Sequence, residues 1–527
     1  MTATGLGPML AVQWRTHRRA TLISVFVLIA AMVGTAGSIA ALYTTPEQID
    51  AYARAVTAGD AIVAINGRVE GIDSLGGIIA DEFGFLAAFL LPLLGISLVA
   101  RATRAEEEAG RLELVLAGGI ARHVPTLAGS ILASTAIGAT VIAFALGLSA
   151  FGVPAGRSVL YAASLGALAF VFAGLAALLA QVTLHARGVY TWGLLILGAA
   201  YVLRGVGDVT NTWVTWLSPL GWAEKAAPFG EMRWWALLIP LAVGALLTTL
   251  AIRTAGRRDL GSALVRGGAG SARASRWLRS PLGLATAIHR PAFLGWLAGT
   301  VILAGLMGAL ARQFIDAVLG NPAMAEALGV SGGRPADAMV ALTQLYIAVI
   351  ATAYVVQAVG ALRGEETAGR LEVRLSGTLS RMGWLVAHAV VIVSGLLVLV
   401  LISSIILAVG TAWSTGAAAD IGRTFAAGAA YLPAELLVAG LALALFGVWP
   451  RALPVAWAVV AFVAFIAFLG PGLRLPTWLV DLSPISHIGN PPLGTVDGFT
   501  LVTLAAIAAA FAAIATVGFR RRGVPQA

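Results

Sequence analysis

The sequence has no cysteine. Disulfides, thiolate metal ligands and cysteine nucleophiles are excluded together. It has a single lysine, Lys225, within Ala-Glu-Lys-Ala. A phosphate-binding P-loop needs Gly-Lys-Ser/Thr after a glycine-rich turn, so this chain does not hold ATP in that way. Charge is also scarce. Only 11% of the 527 residues are charged and 59% are hydrophobic, whereas a soluble domain carries about 25% charged residues. An ordinary water-soluble enzyme is excluded. Histidines are few and scattered, and no histidine–carboxylate grouping resembles a metal site.

Long apolar runs take the place of the missing charge. Ala20–Leu42, Phe83–Ala100, Val391–Gly410 and Leu501–Phe519 each approach the roughly 20 residues a helix needs to cross a bilayer. Twelve such spans are predicted, near 20–42, 83–100, 126–150, 158–182, 189–203, 234–252, 292–311, 341–361, 385–412, 424–448, 452–470 and 500–519. The fifth is the shortest. The predicted fold class is therefore an all-α polytopic membrane protein.

Placing the N-terminus in the cytoplasm puts 24 of the 34 Lys and Arg inside, and 16 of the 25 Asp and Glu outside. This is the positive-inside bias of a multi-pass protein, with both termini cytoplasmic. The net charge of +9 thus reads as topology and lipid attraction, and no nucleic-acid partner is expected. Residues 253–290 hold eight arginines against Asp259 alone, with a Gly/Ser/Ala-rich stretch. They read as a cytoplasmic linker. It joins a first six-helix half, 1–252, to a second, 291–527. The loop 43–82, with seven acids and two arginines, reads as a solvated outer cap.

The halves share signposts in the same order. Thr16-His17-Arg18-Arg19 is echoed by Ile288-His289-Arg290-Pro291. Ala173-Gly174-Leu175-Ala176 is echoed by Ala439-Gly440-Leu441-Ala442, and Trp216-Leu217-Ser218-Pro219 by Asp481-Leu482-Ser483-Pro484. Even span numbers orient both halves the same way, a parallel-repeat transporter plan.

The most distinctive echo is charged. EEEAGRLELVLAGG begins at Glu106 and GEETAGRLEVRLSG begins at Gly364. Each copy falls between the second and third spans of its half. Gly110 and Gly369 permit a sharp turn after the long helix. Beyond them Leu112, Leu116 and Ile120, and then Leu371, Leu375 and Leu379, share helical spacing. A short amphipathic helix here suits either docking in a partner's groove or lying at the lipid interface.

This stretch resembles the coupling-helix loop of ABC-2 type ABC-exporter permeases. Glu107, Gly110, Arg111, Leu112, Glu113 and Arg122 match its pattern in half one, as do Glu366, Gly369, Arg370, Leu371, Glu372 and Arg381 in half two. A proline common in that family's loop is absent from both copies. Trp14–Arg19 looks like its interfacial elbow helix, and the Leu-Ser-Pro segments like its outer re-entrant hairpins. The fused form with WLSPLGWAEKAAPFGEMRWW is most similar to fused actinobacterial polyketide-antibiotic and multidrug exporter permeases. The resemblance implies a transport subunit in the inner (plasma) membrane, with no cofactor and no catalytic residue of its own. It also implies two copies of a separate ABC ATPase that carry ATP and Mg and dock on the two handles, and a small amphiphilic substrate.

Candidate pathway residues lie in the second half. Gln344, Tyr346, Thr352, Tyr354 and Gln357 give span eight an uncommon polar set. Tyr346, Tyr354 and Gln357 fall within about 80° on a 3.6-residue helix. They line a ligand path or tie spans together. Glu435 is the one carboxylate deep in a predicted span, and contacts a cationic ligand, couples to protons or has a structural partner. Two other function classes stay open. One is a proton-coupled twelve-span secondary exporter. The other is a membrane-embedded transferase, which lacks the clustered acids or histidines it needs.

Overall fold

The computed structural model describes residues 4–56, 63, 66–265, 273, 275–320, 334–473 and 475–523. Residues 266–272 and 274 of the basic linker, and 57–62 and 64–65 of the first loop, lie outside the described residues. The described chain is helical, without strands, and carries twelve helices long and apolar enough to cross a membrane. It divides into two compact units, 1–270 and 271–527. Each unit holds six of the twelve helices.

In the first unit the spans are α1 (Leu6–Leu42), α2 (Leu75–Glu108), α4 (Val124–Ala150), α5 (Ala155–Val182), α6 (Ala186–Thr210) and α8 (Trp234–Arg257). Between them sit a handle helix, α3 (Arg111–Ala117), and a short helix α7 (Pro219–Glu224). In the second unit the spans are α9 (Pro281–Ala309), α10 (Pro335–Thr367), α12 (Arg381–Thr415), α13 (Ala418–Val448), α14 (Pro450–Phe468) and α15 (Gly498–Arg521). Its handle is α11 (Arg370–Leu375).

The fifth span is full length at 25 residues. Its polar end, with Arg204 and Asp208, masked the last turns in the sequence. α1 is one unbroken 37-residue helix that starts at Leu6, so Trp14–Arg19 lies in its third and fourth turns and forms no separate elbow. At 1.5 Å per residue it is about 55 Å long, well beyond a hydrocarbon core of about 30 Å.

Each unit packs its own core, with α2 and α5 central in the first and α10 and α13 in the second. Small residues set the closest crossings, as membrane helix packing requires. A side chain at Gly174 would meet the Gly244 carbonyl of α8 at 2.7 Å, and one at Gly440 the Ala508 carbonyl of α15 at 2.8 Å. The repeated Ala-Gly-Leu-Ala therefore marks where the fourth and sixth spans of each unit touch. The Leu-Ser-Pro segments precede the last span of each unit. Ser218 is buried, caps α7 and donates to the Ala200 carbonyl at 2.6 Å. Ser483 is buried as well. Part of the first loop is also anchored. Tyr43 and Tyr52 donate to Glu82 and Asp81 at 2.7 Å each, and Asp81 is buried, so this acid does not serve a solvated cap.

Candidate functional site

The two handles are built alike. α2 ends at Glu108, the chain turns at Gly110 with φ 73°, and α3 begins. α10 ends at Thr367, the chain turns at Gly369 with φ 69°, and α11 begins. Glycine is the residue that takes this left-handed backbone without strain. Leu112 is buried among Met9, Val124 and Ala128, and Leu371 is buried in the core of the second unit. Both helices are short. α3 ends at Ala117 before Gly118-Gly119, and α11 ends at Leu375. Ile120 and Leu379 thus lie beyond the helices, although both still pack inward.

The charges around each turn divide into two locks. In the first unit Arg111 straddles Glu106 with two bonds, Nε to Oε2 at 2.7 Å and Nη2 to Oε1 at 2.8 Å. The two rows of donors meet both carboxylate oxygens, the strong bidentate form. His17 of α1 stands 3.3 Å from the same Glu106. Glu107 turns the other way. Arg258, just past the end of α8, donates Nη2 to Oε2 at 2.6 Å and Nη1 to Oε1 at 2.8 Å. Arg104 and the Gly261 amide complete its shell, each at 2.8 Å.

The second unit repeats this arrangement. Glu365 receives Arg370 at 2.8 Å and Arg374 at 2.6 Å. Glu366 pairs with Arg522, just past the end of α15. One glutamate in each unit therefore fixes the handle to the helix before it. The next glutamate fixes the handle's base to the last span. Sequence reasoning missed Glu106, Glu365, Arg258 and Arg522. Their signal was present as a doubled glutamate in both copies and an arginine closing the last span of each half.

Glu113 and Glu372 differ from these. Both are exposed and make no ion pair among the described residues. Beside them Leu114 and Val373 are 80% and 74% exposed. The handle helices have already committed their buried leucines to their own units. The face left outward carries one exposed arginine, Arg111 or Arg370, one unpaired glutamate and one bare apolar side chain. One local difference separates the units: Arg101–Ala105 forms a π-helical turn before the first handle, a feature frequent at functional sites, while α10 runs on as a regular α-helix.

The comparison with known proteins decides the family. The model of the family described as multidrug efflux system permease Rv1217c, C-terminal domain, matches residues 6–254 and 278–520. The multidrug efflux system permease protein Rv1217c of Mycobacterium tuberculosis is 33% identical over 493 residues, covering 92% of this chain and 89% of that protein. The chain belongs to this permease family. It is a multi-pass drug-efflux permease, a transport subunit rather than an enzyme. The unmatched residues between the two matched stretches fall in the basic linker.

The polar set of the permease's second unit is distributed among different neighbours. Gln344 is buried, donates to the Thr424 carbonyl at 3.1 Å and accepts from Ser404 at 3.2 Å, which joins α10, α12 and α13. Tyr346 packs edge-on against Phe468 of α14. Tyr354 is buried edge-on against Phe293, and its hydroxyl has no hydrogen-bond partner among the described residues. Gln357 is exposed and accepts from Trp296 of α9. Glu435 is wholly buried and neither carboxylate oxygen has a hydrogen-bond partner among the described residues. Among the described residues no group of three or more His, Asp and Glu is placed to hold a metal ion.

Proposed function

We propose that the chain is the membrane permease of an ATP-driven exporter in the plasma membrane, moving amphiphilic or hydrophobic compounds out of the cell. Two copies of a separate ABC ATPase bind ATP and Mg and dock on α3 and α11 from the cytoplasm. The observation that carries this reading is the matched pair of handle tips: Glu113 beside bare Leu114, and Glu372 beside bare Val373. A helix lying in the lipid interface turns its apolar face to lipid. Here the apolar face is spent on the protein, which leaves a mixed face suited to a protein groove.

In this reading the handles transmit motion and do no chemistry. ATP-driven movement of the motor displaces each handle tip. Glu106 and Glu365 keep the tip rigid against α2 and α10. Glu107–Arg258 and Glu366–Arg522 pass the displacement to α8 and α15. Ligand leaves because its affinity differs between the two states so produced. Reversing both tips, Glu113→Arg with Glu372→Arg, tests the reading. Co-purification of the ATPase and ligand-stimulated ATP hydrolysis are both expected to be lost while the folded permease remains. Unchanged co-purification and stimulation would show that the handles do not dock a motor.

A second reading, proton-coupled export without a motor, is favoured by one observation. An isolated buried charge is costly, so Glu435, fully buried and without a hydrogen-bond partner among the described residues, is suited to holding a proton.

A further inference from the structure

The first unit contains a cavity of about 70 Å³ beneath its Leu-Ser-Pro segment, at the end of the bundle opposite the handle. One water needs about 10–15 Å³ by this measure, so the space takes a group the size of one ring. Phe85, Ala88, Leu165, Leu168 and Phe229 give it apolar walls. Tyr161 also lines it, at 6% exposure, and its hydroxyl has no hydrogen-bond partner among the described residues. The ring is held edge-on to Phe229 at 5.3 Å and tilted against Phe144 at 5.9 Å. Beside the hydroxyl the wall is bare backbone, since a side chain at Gly84 would meet it at 3.1 Å. Buried polar groups almost always have partners, so a fixed, unbonded phenol in a ring-sized apolar cavity is a donor prepared for an acceptor.

The charged groups at the cavity's other end are engaged with the protein. Arg204 lies 3.6 Å from Asp208 and 3.5 Å from Glu224. Arg68 donates to the Asp208 carbonyl at 2.7 Å, and Glu70 pairs with Arg233 at 2.9 Å. A charged ligand would have to displace these contacts, whereas an uncharged one leaves them intact. The second unit does not repeat the donor. The offset that aligns Ala173 with Ala439 places Ala427 opposite Tyr161.

We propose that the first unit carries a binding site for an uncharged amphiphile that joins a ring-sized apolar group to a hydrogen-bond-accepting oxygen, with Tyr161 as the donor. The inference deepens the drug-efflux reading by naming a ligand chemistry. It relies on that reading only for what the ligand is for. Binding to the full chain without any ATPase tests the site separately from the motor.

The test uses ¹⁹F relaxation on the full chain in lipid nanodiscs. The probes are 4-fluoroacetophenone and 4-ethylfluorobenzene, which has the same ring but no oxygen. Tyr161→Phe removes only the hydroxyl. It is expected to weaken the ketone roughly tenfold, the scale of one buried hydrogen bond, and to leave the hydrocarbon unchanged. Ala88→Leu, which narrows the cavity, is expected to weaken both probes. Comparing ester-linked with ether-linked lipids identifies the natural source of the oxygen. Ketone binding suppressed only in ester lipid marks a lipid ester as occupant, and equal binding in both marks a solute. The proposal is overturned if the ketone does not bind the unmodified chain, or if Tyr161→Phe changes both probes equally or neither.

Discussion

Single residues around the handles fall into groups that share and groups that transmit. Glu366 and Arg522 are both largely shielded, with side chains 5% and 15% exposed, and Arg522 also stands over the rings of Phe446 and Phe519 at 5.5 Å each. Removing one partner of a buried pair costs about 3–5 kcal/mol. Glu366→Gln retains a polar partner, so a loss near the lower end, about 3 kcal/mol, is expected in equilibrium unfolding. Ligand stimulation of ATP hydrolysis should be lost even though the handle tip is untouched. Intact stimulation would remove the lock from the transmission path. Glu435 gives the opposite expectation. A buried carboxyl with no bonded partner among the described residues is accommodated uncharged, so Glu435→Gln should leave ATP-driven efflux within about twofold, or about 0.4 kcal/mol. Abolished efflux would favour the proton-coupled reading.

These residue roles were only partly legible in the sequence. Glu107 matched the coupling pattern by position, yet its partner Arg258 lies 151 residues away, and no local spacing reveals such a contact. Gln344, Tyr346, Tyr354 and Gln357 were legible as a polar set on one helix. What the sequence could not show is that Tyr354 and Gln357 both meet α9, while Gln344 ties to α12 and α13 and Tyr346 meets α14, because helical angle alone does not say which helix packs where.

At the scale of elements, glycine serves two purposes that substitution separates. Gly110 has open space around it, with nothing within 4 Å of an added Cβ, but sits at φ 73°. Gly110→Ala should therefore cost only the conformational penalty of about 1–2 kcal/mol, and Gly110→Asn less. Gly447 is helical, and a Cβ there would sit 2.3 Å from the Ala515 carbonyl. Gly447→Ala must push α13 away from α15, and should lower thermal stability more than Gly110→Ala. Equal shifts in a melting experiment would contradict this assignment. The twelve spans were legible because length and apolarity suffice to identify them. The fifth was cut short because Arg204 and Asp208 interrupt its apolar run. Their cost is offset by pairing within the unit, which requires tertiary structure. The sharp turns at Gly110 and Gly369 were legible as well, since glycine between two helical patterns has few other uses. The continuity of α1 was not, because a basic stretch such as Trp14–Arg19 ahead of an apolar run reads equally as a separate interfacial helix.

For the whole molecule, duplication explains why one chain has two handles. Each unit of six spans carries adjacent glutamates before its handle, a left-handed glycine at the turn and, just past its last span, an arginine that pairs with one of those glutamates. The family match reaches both units, and the single lysine at Lys225 leaves the chain without a P-loop of its own. In the proposed function the driving force comes from a separate ATPase that docks on the two exposed tips. Reconstituted efflux tests this most directly. The full chain is placed in liposomes with and without its co-expressed ABC ATPase, and export of a fluorescent amphiphile is followed under ATP or under a proton gradient. The account predicts export only with the ATPase and ATP, and its loss in the Glu113→Arg, Glu372→Arg double variant. Export by the chain alone, driven by the proton gradient and indifferent to that double variant, would contradict it.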